Sequence, residues 1–173
     1  MERNTYALIK NVAVRTSDIM NSIATVWIFC MMLLMAGDVF GRLLFNHPIQ
    51  GTPEIIKVSL VAIVFLEIPN TLWMNRHIKS DMILSRIGSR ARLLYENVLF
   101  TISAILFIGI IYAGWDLMVT AWQLSEFEGA GVVRVPVAPI RTIIVLGSVL
   151  AVFLYLLKII DNIKELRVLS GKD

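Results

Sequence analysis

Few residues in this 173-residue chain have the type and spacing to do chemistry. Glu67, Asn70 and Thr71 fall at i, i+3 and i+4, so a helix would carry an acid, an amide and a hydroxyl on one face. Set among apolar neighbours, that stripe could take up a proton or an ion. It could equally be a polar seam against another helix, because an ionised acid facing lipid costs several kcal/mol. The seam is the simpler reading, since Glu67 lies only nine residues before Arg76 and so near the headgroups. Pro69 strengthens the case for an irregularity here: it leaves the carbonyl of Phe65 without its helical partner and permits a kink.

Other reactive residue types are present but badly placed. His47 and His77 both lie outside the apolar runs, where they cannot ligate a haem held between spans. Cys30 is the single cysteine, so no intrachain disulfide can form. Met31, Met32 and Met35 have no second ligand type nearby and read as packing residues. A glycine-rich phosphate loop, a zinc spacing and a nucleophile with a base are all missing. The expectation is a protein that is not an enzyme and uses no cofactor.

The elements that position these residues follow from composition. The chain is 57% hydrophobic and 17% charged, against about 45–50% and 25% in a soluble domain, which marks an integral membrane protein. Ile19 to Gly37 gives 19 residues without a charge, enough for roughly 28 Å of hydrocarbon. This run is too long for a signal-peptide core and lacks a small-residue cleavage site, so it is expected to be retained. A polar hairpin, Gly41 to Glu54, separates it from a second span. Asp38 and Arg42 sit one turn apart at its start and can pair, while Thr52-Pro53-Glu54 reads as N-cap, N1 proline and acidic first-turn residue.

Asn97 to Trp115 supplies another 19 uncharged residues, followed by Trp122 in an aromatic belt with Tyr112 and Trp115. Gly109 with Ala113, and Gly147 with Ala151, are small-residue pairs suited to close helix packing. The stretch from Ser125 to Arg141 is an irregular turn rich in Gly and Pro. The expected architecture is one all-α membrane domain over 1–173. Its four transmembrane helices run over about 19–44, 54–75, 97–122 and 138–160, with a surface-lying amphipathic helix over about 80–92. Residues 1–18 read either as a short interfacial helix or as a polar tail.

Twelve of the sixteen lysines and arginines fall in the N-terminal segment, the connection between spans two and three, and the C-terminal segment. The remaining four are Arg42, Lys57, Arg134 and Arg141. Positive charge marks the cytoplasmic side, so both termini are expected there and the hairpin on the outer face. The net charge of +3 fits lipid headgroups better than nucleic acid, because the basic residues flank apolar segments.

Four motifs recur in order around these spans: Asp38-Val39-Phe40-Gly41-Arg42 running into Phe45 and Pro48; Gly51-Thr52-Pro53-Glu54; His77-Ile78-Lys79-Ser80-Asp81; and Arg134-Val135-Pro136-Val137-Ala138-Pro139-Ile140-Arg141 with Gly147 beyond. In these the chain, from about Asp18 to Leu166, resembles the DctQ-type small membrane subunit of tripartite ATP-independent periplasmic (TRAP) transporters. The resemblance implies a non-catalytic scaffold in a bacterial inner membrane, packed on a large membrane subunit that carries the sodium and substrate sites. It also implies a periplasmic binding protein delivering an organic acid, such as a sialic acid or a dicarboxylate. Carried over position by position, Arg42, Glu54, His77, Asp81, Arg134 and Arg141 become partner-interface residues, to which the seam residues Glu67 and Asn70 are added. The alternative from the residues alone is a self-contained proton-coupled transporter using Glu67.

Overall fold

The computed structural model describes residues 2–74, 89–129 and 134–170. Within them the chain forms four long helices, α1 (Glu2–Phe45), α2 (Thr52–Trp73), α3 (Ser89–Leu124) and α4 (Ala138–Ser170). Two short strands, β1 (Phe127–Glu128) and β2 (Val135–Pro136), complete the described elements. All four helices are long and apolar enough to cross a membrane.

Their lengths differ in a way the hydropathy pattern hides. The 22 residues of α2 rise about 33 Å, close to one hydrocarbon thickness, whereas the 44 residues of α1 rise about 66 Å. Residues 2–18, expected as a separate interfacial helix or a tail, are instead the first turns of α1. The reason is local. Residues 2–36 contain no Gly or Pro to interrupt the ladder, and Tyr6 and Ala13 give this half a packing face on α4. At the other end of the molecule α3 starts at Ser89, so the described part of the expected surface helix, residues 89–92, is the first turn of the third span. The rest of that expected helix lies outside the described residues.

The hairpin after α1 also departs in detail from its expected capping. Gly51, with φ of 84°, is the residue that precedes α2, in a left-handed conformation that glycine adopts without strain. Thr52 is therefore the first helical residue. Its hydroxyl donates back to the Ile49 carbonyl at 3.0 Å and does not cap the helix. The turn between α3 and α4 is more regular than expected, because Phe127 pairs with Pro136 and Glu128 with Val135 in an antiparallel ladder.

The helices pack as an open layer in the order α1, α2, α4, α3, with α1 touching α4 only sparingly. The two central helices are buried over 44% and 39% of their spanning windows, against 11% for each outer helix. Three small apolar clusters hold the layer. Ala24, Ile63 and Leu66 join α1 to α2; Ala13, Leu154 and Leu157 join the start of α1 to α4; Leu72, Phe100, Ala104, Phe107, Ala151 and Tyr155 join α2, α3 and α4. Gly147 sets the α2–α4 distance, since a methyl group there would overlap the Phe65 carbonyl oxygen and lie 3.1 Å from its carbon. That carbonyl is the one Pro69 leaves without a helical donor. By contrast nothing among the described residues lies within 4 Å of a methyl on Gly109, so its small-residue pair packs on none of the described helices.

Candidate functional site

Polar side chains gather at the two ends of the layer, with one further bond between the spans. At the hairpin end, Asp38 is buried and accepts from Arg42 Nη2 at 2.7 Å and from the Ile49 N–H at 2.8 Å. The one-turn spacing that lets Arg42 reach Asp38 thus also ties the loop over the end of α1. Lys57 Nζ donates to Glu128 Oε1 at 2.6 Å, fastening α2 to β1. The Lys57 ammonium holds the Glu128 carboxyl below its usual range, chiefly through that hydrogen bond. Arg141 Nη1 donates to the Leu117 carbonyl and pairs with Glu126 Oε2, both at 2.7 Å. Trp122 Nε1 donates to Thr142 Oγ1 at 3.0 Å, joining α3 to α4 beside the turn.

The opposite end is held by cations. Tyr6 hydroxyl and Lys10 Nζ each donate to Asp161 at 2.8 Å, pinning the start of α1 to α4. Lys10 also lies 5.1 Å from the centre of the Trp73 ring, and Lys164 lies 3.8 Å from that of Tyr6. Lys158, only 9% exposed, donates to the Leu72 carbonyl at 2.5 Å. A cation suits that place, because the last carbonyls of a helix lack partners and carry partial negative charge. Asn162 Nδ2 and Arg92 Nε both reach Glu96, linking α4 to the first turns of α3.

At that same end of α2, Asn70 Nδ2 donates to Asp18 Oδ1 at 2.6 Å, joining α2 to α1. The predicted stripe therefore divides. Asn70 is buried in a helix-to-helix bond, Thr71 donates to the Glu67 carbonyl, and the half-buried Glu67 carboxylate makes no hydrogen bond or ion pair with the described residues.

Of the predicted interface residues, Arg42, Glu54, Arg134 and Arg141 all lie at the hairpin end, each with its own surroundings. Arg134 stands exposed just before β2 and Glu54 half-buried in the first turn of α2. Glu67 and Asn70 lie apart from them, towards the other end of α2. His77 and Asp81 fall outside the described residues. Sequence reasoning passed over Asp18, Lys10, Asp161 and Lys158, whose partners are 52 to 155 residues away in the chain. A local signal existed only for Lys158, a lysine at the end of an apolar run.

Among the described residues no three His, Cys, Asp or Glu side chains converge as they would around a metal ion. What the arrangement does is hold long apolar helices to one another, leaving broad apolar faces on α1 and α3. This is a multi-pass membrane protein whose polar groups are spent largely on its own architecture. The chain belongs to the family described as tripartite ATP-independent periplasmic transporters, DctQ component, which matches residues 31–165. It is thus the small membrane subunit of a TRAP transporter, a system that also comprises a large membrane subunit and a binding protein. No curated protein and no solved structure matched it.

Proposed function

We propose that this subunit is a non-catalytic scaffold for the large membrane subunit in sodium-coupled, binding-protein-dependent uptake of an organic acid. The observation that carries the reading is the open helix layer. Its outer members bury only 11% of their spanning windows within the chain, so a large apolar surface is left for another membrane protein and for lipid. In this reading the chain sits in the bacterial inner membrane with both termini cytoplasmic, in keeping with its distribution of lysine and arginine. The hairpin end then faces the periplasm, where Arg42, Glu54, Arg134 and Arg141 form the surface that meets the docked binding protein. In this reading His77 and Asp81 contact the large subunit, while Glu67 and Asn70 contribute to the seam.

Reconstitution tests this directly. Vesicles holding the large subunit, this chain and the binding protein should take up organic acid with sodium, and vesicles holding this chain with the binding protein alone should not. Uptake by this chain without the large subunit would overturn the proposal.

A second reading has one observation in its favour, the Glu67 carboxylate inside a spanning helix without a partner among the described residues. A proton-coupled carrier using that group would lose transport and its proton dependence in Glu67→Gln. A scaffold would keep uptake by the assembled complex.

A further inference from the structure

The hairpin ends of α1 and α2 enclose a groove with the polarity of an amphiphile. On α1 the residues lining it, Met35, Asp38, Val39, Arg42 and Leu43, recur at helical spacing along one face. From α2, Ile56 and Leu60 face them across a space of about 730 Å³. Met35, Val39 and Leu60 remain 54%, 47% and 49% exposed, so no described residue fills it. Adjoining this apolar trough is a polar cup of about 300 Å³, lined by Glu54, Lys57, Glu128 and Gly129; trough and cup share Pro53 and Lys57.

We propose that this composite groove binds a phospholipid with a primary-amine headgroup of the phosphoethanolamine class, one acyl chain in the trough and the headgroup in the cup. The charges select that class. Arg42 and Lys57 each commit a donor to a carboxylate, yet their side chains stay 62% and 72% exposed, leaving further N–H groups for a phosphate. Glu54 and Glu128 lie beside them as acceptors for an ammonium. A glycerol headgroup would bring no ammonium to Glu54 and Glu128. A choline headgroup carries no N–H to donate. A helix from another protein would fill the trough and leave the cup empty. The proposal needs only that these helices lie in a bilayer, and it does not depend on the scaffold reading.

The test uses the full chain in phosphatidylcholine vesicles containing phosphatidylethanolamine with a photoreactive group in its acyl chain. Crosslinks should concentrate on Met35, Val39, Ile56 and Leu60, well above Leu106 and Tyr112 on the exposed face of α3. Unlabelled phosphatidylethanolamine should compete on the order of fivefold better than phosphatidylglycerol or phosphatidylcholine, the discrimination expected of about one interfacial charge contact. Glu128→Gln should reduce the preference for ethanolamine with the crosslinked positions unchanged, and Leu60→Trp should displace the label from α1. The wild-type crosslinking pattern stands whether or not either variant folds. Equal labelling of all faces would overturn the proposal, as would phosphatidylglycerol competing as well as phosphatidylethanolamine. Loss of labelling on adding the large membrane subunit would assign the groove to a protein helix and equally refute it.

Discussion

A methyl group is enough to probe the contact between the two central helices. Gly147→Ala drives a Cβ into the Phe65 carbonyl, a backbone atom that cannot rotate away, so α2 and α4 must separate. The expected cost is about 1–3 kcal/mol, the usual range for overpacking a tight core, read as a lower unfolding midpoint in detergent. Gly109→Ala is the control. Its methyl meets open space, and the change should lie within about 0.5 kcal/mol of neutral or slightly stabilise the helix. Asn70→Ala removes the bond to Asp18 and should cost roughly 0.5–2 kcal/mol by the same measurement, as interhelical hydrogen bonds in membranes do. These residues also show what was legible. Asp38 with Arg42 could be read from one helical turn of sequence, and Gly147 with Ala151 from their spacing. Asp18 and Asn70 could not be paired, because no local pattern says which helix faces which. The capping of α2 was misjudged for a related reason: Thr52 is a good cap by type, but the left-handed turn at Gly51 places it one residue too late.

At the scale of elements, the four spans were visible as apolar runs, while the polar ends of the helices were not. Hydropathy falls at Arg15 and Asp18, yet α1 continues through them to Glu2, because Tyr6 and Lys10 find Asp161 on a helix nearly the whole chain away. Asp161→Ala should release both donors at once. Trypsin should then cut at Lys10 and Arg15 faster than in the parent chain, with the remainder of the protein equally resistant. The ladder between β1 and β2 is fastened to α2 by Lys57 and Glu128, and its pH response follows from the lowered carboxyl value. A carboxylate held below its unfolded value contributes stability above that unfolded value, and the contribution is lost as pH falls through the folded one. Fluorine NMR of a fluorinated Phe127 should therefore titrate with a midpoint below that of a free glutamate. In Lys57→Met the midpoint should return to the ordinary range.

For the whole molecule, the decisive feature is that the helix layer does not close on itself. In water the exposed Leu106, Ile105 and Tyr112 of α3 would drive aggregation, whereas in a bilayer they cost nothing and the force between helices becomes close packing. Gly109 and Ala113 are exposed on this outer helix, with nothing among the described residues within 4 Å of a methyl on Gly109, although their spacing is that of a closely packed helix pair. If the scaffold reading holds and α3 lies against the large subunit, Gly109→Leu should separate two properties that usually change together. The isolated chain should keep its unfolding midpoint, because the added side chain meets nothing within the layer. Recovery of the large subunit by affinity purification through this chain should fall several-fold, since a leucine prevents two helix backbones from approaching closely. A Phe40→Leu variant, at an exposed apolar position on the opposite outer helix, should alter neither quantity. Unchanged recovery with Gly109→Leu would place the large subunit against α1 instead, and a lowered midpoint would show that α3 packs on this chain more tightly than the open layer allows.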